Sequence, residues 1–352
     1  MALIVTYQQS NNKMEQKEIL IAADLRWPVG SGIGLCQQEY LSRKPVTFTV
    51  LDSGSSLRIG NPLSPLSISP CFSISNEKCN VFWSPGFVPP AYSVVPTVVT
   101  VHDLTHLHFY SKLHAKYYEL ILKPLYKKCS SIICVSEHTR NEFLEWSGMP
   151  EDKVQVIYNG VSPKYNRNII SFKPGYPYIF YPGNKREYKN IAMLLHAFHN
   201  SILPKHGVKL VMTGASTSNL QAIIYRLNLS NHVVFLGFVP DEFLPSIYHG
   251  AEFTSFISLY EGFGLPIVES MAVGTPVLTS NISSMPEIAG NAAQLVDPLS
   301  LDEITTTLNT LLLSESLRME LSAKGLSRAE FFSWDKSSNK TWNLIEDLAC
   351  LP

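Results

Sequence analysis

The chain has 352 residues, with 28 basic against 29 acidic side chains and a formal net charge of −1. A hydrophobic share of 45% with 16% charged residues excludes a disordered or fibrous chain and leaves room for two globular domains of ordinary size. Both halves are near neutral, which excludes a nucleic-acid binder working by bulk positive charge.

The six cysteines (Cys36, Cys71, Cys79, Cys129, Cys134 and Cys350) form no Cys-x-x-Cys pair and no Cys/His spacing suited to zinc. Free thiols in a reducing compartment are therefore expected. The opening residues hold an apolar run too short for a secretory leader, and no stretch of about 18 apolar residues occurs anywhere. The expectation is a cytoplasmic protein that at most rests on the inner face of a membrane.

In chain order, residues 18–24 form a short apolar run that reads as a buried strand. A glycine-rich turn at residues 30–34 and a helical segment at 37–42 follow. Strands are expected over 46–51, 81–83 and 94–101, then a long helix over 112–128 and a strand over 131–135. Ser136 is a candidate N-cap for a helix over 138–146, and a strand over 154–158 ends at Asn159-Gly160. Between residues 162 and 177, Pro, Asn, Lys and Ser dominate, and this composition reads as a linker. The rhythm restarts with strands over 178–181, 209–213, 233–236, 253–257 and 276–279. Helices over 191–203, 244–249, 266–273, 304–313 and 315–331 alternate with them or close the half. Strands alternating with helices argue for parallel sheets covered on both faces. The expected class is α/β, with two Rossmann-like domains (1–161 and 178–333) facing each other across a deep cleft. Ligands of such sheets sit outside the carboxyl ends of the strands.

The chemistry concentrates in residues 258–270. Seven residues separate Glu261 from Glu269, and Gly262, Gly264 and Pro266 among them force a sharp loop into a helix. Such a loop aims backbone N–H groups and the positive end of a helix at whatever lies above it, and a diphosphate is the natural guest. Glu261 can accept hydrogen bonds from sugar hydroxyls, and Glu269, one turn into the helix, from a ribose. Spacing alone leaves open a plain helix-capping loop with two solvated glutamates.

The wider segment, residues 258–298, resembles the signature of glycosyltransferase family 4. It carries the Glu-x7-Glu pair, the Gly-Phe-Gly-Leu-Pro loop and the Pro286-Glu287-x-x-Gly290 segment in family order. The resemblance implies a GT-B fold and a donor loop made of Gly262, Phe263, Gly264 and Leu265, with Glu261 and Glu269 beside it. Residues 181–190 are similar to the family's cationic loop, in which Lys189 matches the family lysine and either Lys185 or Arg186 supplies a second phosphate cation. Arg186 is preferred, because a guanidinium forks onto two oxygens. In the first half, His102 and Asp103 resemble the pair that faces the donor sugar. Gly32 and Gly34, with Arg26, resemble the glycine loop facing the donor phosphates. Backbone near Val239 is expected to read the base. The last helix, 335–350, is expected to pack back on the first domain.

The resemblance implies a retaining, metal-independent transfer by front-side displacement, and the chain contains no Asp-x-Asp. Arg186, Lys189 and the loop would assist the departing diphosphate. The expected donor is a nucleotide-diphosphate sugar, GDP-mannose first. The expected acceptor is a growing glycan or polyprenyl-diphosphate-linked glycan in surface polysaccharide synthesis, such as O antigen of lipopolysaccharide. A GT-B epimerase or hydrolase, or a non-catalytic sugar-nucleotide binding subunit, is the alternative. Finally, Lys112, Lys116, Lys123 and Lys127 fall on one stripe of the helix over 112–128, interrupted by Glu119 and carrying Pro124. With Phe109 and Tyr110 ahead of it, this stripe suggests contact with an anionic membrane surface. The alternative is a plain solvated face on a surface helix whose Leu113, Tyr117, Ile121 and Leu125 pack on the sheet.

Overall fold

A computed structural model describes residues 18–53, 55–69 and 79–350. The apolar run of the first 17 residues and Cys71 lie outside the described residues. The first half contains β1 (Ile19–Ala23), α1 (Gly32–Ser42), β2 (Phe48–Asp52), α2 (Ser64–Ser67), β3 (Val81–Ser84) and β4 (Thr97–Val101). It continues with α3 (Thr105–His108), α4 (Lys112–Tyr117), α5 (Lys123–Tyr126), β5 (Ser131–Cys134), α6 (Glu137–Ser147) and β6 (Val154–Val156). The strands form one parallel sheet in the order β2-β1-β3-β4-β5-β6.

Two strands begin later than expected. The Phe48 N–H closes a turn onto Pro45 O before β2 can pair, and β4 starts directly after Pro96, which has no N–H to give. Helix α1 begins earlier, at Gly32. Ser31 caps it, its Oγ accepting the Gly34 N–H at 3.0 Å, and this local bond outweighs glycine's poor helix propensity.

The helical segment after Ser111 runs to Tyr126, with a π turn at Tyr118–Leu122 between α4 and α5. The Lys123 N–H reaches Tyr118 O there, just before Pro124, which has no N–H to continue the ladder. The expected sheet-facing set is corrected. Leu113 and Ile121 are exposed and Tyr117 and Leu125 half-buried, while Tyr118, Leu122 and Tyr126 fill the space against β4 and β5. The buried set carries two tyrosines where the expected set carries one, and large aromatic rings gain most from burial.

The second half contains β7 (Tyr178–Tyr181), α7 (Ile191–Asn200), β8 (Lys209–Met212), α8 (Ser218–Arg226), β9 (Val233–Phe235), α9 (Leu244–Gly250) and β10 (Thr254–Phe256). It ends with α10 (Leu265–Ala272), β11 (Val277–Ser280), α11 (Met285–Ala289), β12 (Gln294–Val296), α12 (Leu301–Leu313), α13 (Glu315–Ala329) and α14 (Trp334–Ala349). Its parallel sheet runs β12-β11-β10-β7-β8-β9. The chain winds outward from β7 to β9, then crosses to β10 on the other side of β7. The order therefore reverses between β7 and β10, and the crevice outside their carboxyl ends is where such sheets bind ligands. Helix α8, capped by Thr217, and the short β12 went unread in the sequence.

Residues 162–177 are not a free linker. Tyr165 is buried in the second domain, Ile169, Phe172 and Tyr176 pack beside it, and the Phe172 N–H donates to Ser246 O at 2.9 Å. Four spaced apolar anchors, diluted in the average composition, hold this strap down. Helix α14 crosses back to the first domain. There Trp342 packs on Trp83 with ring centroids 5.1 Å apart and donates its Nε1–H to Tyr40 O at 3.2 Å. The two crossings lie side by side, with the Val161 N–H donating to Phe332 O at 3.1 Å. No helix among the described residues is long and apolar enough to cross a membrane.

Candidate active site

The loops that follow β7 and β10 meet at the reversal point. In the first, a 3-10 turn at Glu187–Lys189 ends at Asn190, which adopts a left-handed φ of 59°, tolerable for asparagine. The Asn190 Nδ2 then donates to Ile257 O at 3.2 Å and Pro298 O at 2.8 Å, tying this loop to the end of β10. Lys189 is thereby buried and its Nζ lies 2.5 Å from Glu261 Oε1. Two members of the expected catalytic group are thus in direct contact.

Glu261 is clamped through its backbone. Its N–H donates to Ser283 Oγ at 3.1 Å, and its carbonyl accepts from Ser283 Oγ at 2.7 Å and Ser284 Oγ at 2.8 Å. The turn then runs through Gly262 and Phe263 to Gly264, whose φ of +98° and N-cap position launch α10. Phe263 turns its ring into the core against Phe332, so only its backbone faces the crevice. Leu265 bridges the cores of both domains. Among the described residues the N–H groups of Gly262, Phe263, Gly264 and Leu265 meet no acceptor, although the first three residues are buried. N–H donors left without a partner at a helix N-terminus are suited to an anion.

Glu269 is buried one turn into α10 and accepts from Tyr248 Oη at 2.7 Å. Burial raises its pKa, while hydrogen bonds from Tyr248 and Tyr165 and the charge of Lys164 work the other way. Val239 packs in the same cluster as Tyr165 and Tyr248, so the residue expected near the base lies close to the one expected at the ribose. Lys164 and Asp241 form an ion pair at this edge.

The two candidate second cations differ in their partners. Lys185 Nζ donates to Gly183 O at 3.0 Å and Thr213 O at 2.6 Å, and burial lowers its pKa to about 8. Arg186 is exposed and reaches across the cleft, donating from Nη1 to Tyr110 Oη at 2.6 Å. Arg186 thus presents a charged guanidinium to the cleft, whereas Lys185 spends its hydrogens on backbone.

The opposite wall comes from the first domain. A methyl group on Gly262 would sit 1.7 Å from His102 O, so only glycine allows this approach of the domains. His102 Nε2 lies 2.7 Å from Pro85 O and must be the protonated ring nitrogen, leaving Nδ1 as an acceptor. Burial lowers its pKa, against the Pro85 hydrogen bond and the Asp103 charge. Asp103 itself accepts from Thr105 N at 2.9 Å and Thr105 Oγ1 at 2.5 Å, the geometry of a turn cap at the start of α3. Gly32 and Gly34 lie in the first turn of α1. Gly32 faces open space, Gly34 N–H is taken by Ser31, and among the described residues no hydrogen bond ties either to the second domain. Arg26 is corrected. It is turned inward and pairs with buried Asp24 at 2.6 Å, so it does not face a phosphate.

Sequence reasoning missed the residues that hold the domains together. Glu287 accepts from Glu137 N at 2.8 Å and His138 N at 3.1 Å at the start of α6, and from Tyr158 Oη at 2.7 Å. Ser136 Oγ and Thr139 Oγ1 donate to Gly262 O at 2.7 and 3.1 Å. The Tyr260 hydroxyl accepts from Leu104 N at 3.0 Å and donates to Glu142 at 2.5 Å. Phe109 rests on Tyr188 and Tyr260, with centroids 5.4 and 5.9 Å away. The Pro-Glu-x-x-Gly pattern marked Glu287, but nothing local shows which helix it caps.

Residues 164–328 match the family described as glycosyl transferases group 1, and residues 77–165 match glycosyltransferase family 4. O-antigen chain mannosyltransferase B of Escherichia coli is 29% identical over 290 residues, covering 77% of this chain and 75% of that one. O-antigen chain mannosyltransferase RfbU of Salmonella typhimurium is 29% identical over 205 residues, 57% of this chain and 56% of that one. Among solved structures, Anabaena Alr3699/HepE in complex with UDP and glucose superposes with a TM-score of 0.72 at 16% identity, covering 94% of this chain and 100% of that one. At that identity the likeness speaks for the fold.

Proposed function

We propose that this chain, which belongs to the glycosyltransferases of the GT-B type, moves a mannosyl group from GDP-mannose to a growing or lipid-linked surface glycan with retention of configuration. The observation that carries the reading is the reversal point itself. There the Lys189–Glu261 pair stands beside four backbone N–H groups without acceptors. A nucleotide diphosphate supplies the missing acceptors, and Lys189 with Arg186 offsets the charge that grows on it as the sugar leaves. Glu261 holds the sugar hydroxyls, Glu269 the ribose, and backbone near Val239 the base.

In the transfer, the bond from the anomeric carbon to the diphosphate oxygen breaks, and the acceptor oxygen bonds to that carbon from the same face. The acceptor proton passes to the departing diphosphate oxygen. The protein's part is positioning and charge stabilisation, with no metal ion required. Mannose as the sugar is supported by the two relatives named as O-antigen mannosyltransferases.

The test is protection against thermal unfolding by a panel of nucleotide sugars in excess chelator, followed by analysis of product configuration. A ligand at a hundred times its Kd stabilises by about 2.7 kcal/mol, an easily read shift. GDP-mannose should protect most and give an α-linked product. Protection by UDP-sugars alone would reject the mannosyl donor, and activity that needs an added divalent ion would reject the metal-free mechanism.

A further inference from the structure

We propose that the first domain docks on an anionic phospholipid surface through the outer face built by α4, the π turn, α5 and the segment around α2. The motive begins with the register of the helix. Because Tyr118, Leu122 and Tyr126 take the sheet face, the apolar residues between them have nowhere to go but outward. Leu113 is 76% exposed, Leu120 69% and Ile121 45%. Leu113 and Leu120, seven residues apart, share one side of the helix.

Neighbouring segments extend this patch. The Tyr117 hydroxyl donates to Pro62 O at 3.1 Å, which brings the exposed Leu63 and Leu66 alongside α4. The Ala91 N–H donates to Pro65 O at 2.8 Å, and the exposed Tyr92 shares a cavity of about 250 Å³ with Leu125 and Lys128. Five exposed aliphatic side chains and a tyrosine thus stand on the helix and on the segments bonded beside it.

Charge says what covers it. Lys112, Lys116 and Lys128 are exposed beside the leucines, whereas Lys127 turns its ammonium toward Gly148 and the charge of Glu119. The one carboxylate on this helix, Glu119, is withdrawn from them, held by Lys123 Nζ at 2.6 Å and Trp146 Nε1 at 3.0 Å. Lys123 and Lys127 therefore leave the stripe expected from spacing, and Lys128 joins it. Leucines with lysines at their margin suit an interface in which apolar groups enter the acyl boundary and ammonium groups stay among phosphates. The net charge of the chain is −1, so this basic character is local.

The face also ends at the cleft. Tyr110, which receives Arg186, comes two residues before α4, so a surface that meets Leu113 lies beside the cleft mouth. The use of docking, to meet a lipid-carried acceptor, rests on the transferase reading, whereas lipid binding is measured without donor or acceptor.

The experiment is flotation of the full chain with vesicles of phosphatidylglycerol and phosphatidylethanolamine, against vesicles of phosphatidylcholine alone. The protein should float with the anionic vesicles and be released by salt. Changing Lys112, Lys116 and Lys128 to serine should lower partition on the order of a hundredfold. A Leu113→Ser, Leu120→Ser, Ile121→Ser variant should lose partition by at least about tenfold. Both variants should keep the wild-type unfolding temperature and its shift by nucleotide sugar, because these side chains are exposed. Wild-type protein that stays in solution with anionic vesicles overturns the proposal. So does a leucine variant that floats like wild type, which would reduce the effect to charge adsorption. Normal transfer to a soluble acceptor alongside failed flotation leaves the transferase reading standing and removes the docking alone.

Discussion

Replacing Glu287 with alanine should separate closure of the cleft from donor binding. Its carboxylate, carried by the second domain, receives three hydrogen bonds from the first, from Glu137 N, His138 N and Tyr158 Oη. Two of these satisfy the N-terminus of α6, where a partly buried carboxylate is worth up to about 2 kcal/mol. The third involves a half-buried phenol. Hydrogen bonds to a charged partner are worth about 1.5–3 kcal/mol each, but the freed N–H groups lie near the surface and can turn to water. A net loss of about 2–4 kcal/mol for apposition of the domains follows, or a fall in the closure equilibrium of roughly thirty- to several-hundred-fold.

The hydroxyls of Ser136 and Thr139 still hold Gly262 O, so the domains should fold and the interface loosen rather than vanish. Turnover should drop steeply, because His102 and the Glu261 loop come from opposite domains. Nucleotide affinity should change little, since Glu269 and Val239 belong to the second domain alone. Small-angle scattering should show a larger radius of gyration, and Glu287→Gln, which keeps one acceptor oxygen, should fall between. Turnover within about twofold of wild type, with unchanged scattering, would refute the latch.

Lys189→Ala should lower turnover by on the order of a hundredfold or more, as loss of transition-state charge stabilisation does, and normal turnover would reduce the β7 loop to a surface feature. Glu269 has a raised pKa, so from its unfolded value upward the folded state holds the proton more tightly than the unfolded one, and stability falls as pH rises through that window. Glu269→Gln should therefore raise the unfolding temperature at neutral pH while weakening nucleotide binding, whereas Glu261→Ala should mainly cut turnover. An unfolding temperature that drops in Glu269→Gln, or equal small effects from the two changes, would dissolve this division of labour.

Much of this protein is written in its local patterns. Short apolar runs alternating with helical periods specify two parallel sheets, because strands buried on both faces need unbroken apolar sequence. The glycines and proline between Glu261 and Glu269 specify a turn into a helix, since few other residues adopt that backbone. Lys189 was marked in the sequence by its likeness to the family lysine, and the fold adds that Asn190 beside it accepts a left-handed φ and ties the loop to β10. Partners distant in sequence decided the rest. Lys185 and Arg186 are adjacent cations, and only the Thr213 carbonyl and Tyr110 tell them apart. Arg26 looked like a phosphate ligand until the fold brought the Leu57 carbonyl and the Ser64 hydroxyl around it, next to the neighbouring Asp24. Periodicity alone set the wrong side of α4 against the sheet, because a π turn shifts the register and aromatic volume chooses the buried face. Glu287 finds the start of α6 only once the two domains have closed, since a side chain and a helix end some 150 positions away become neighbours through packing alone.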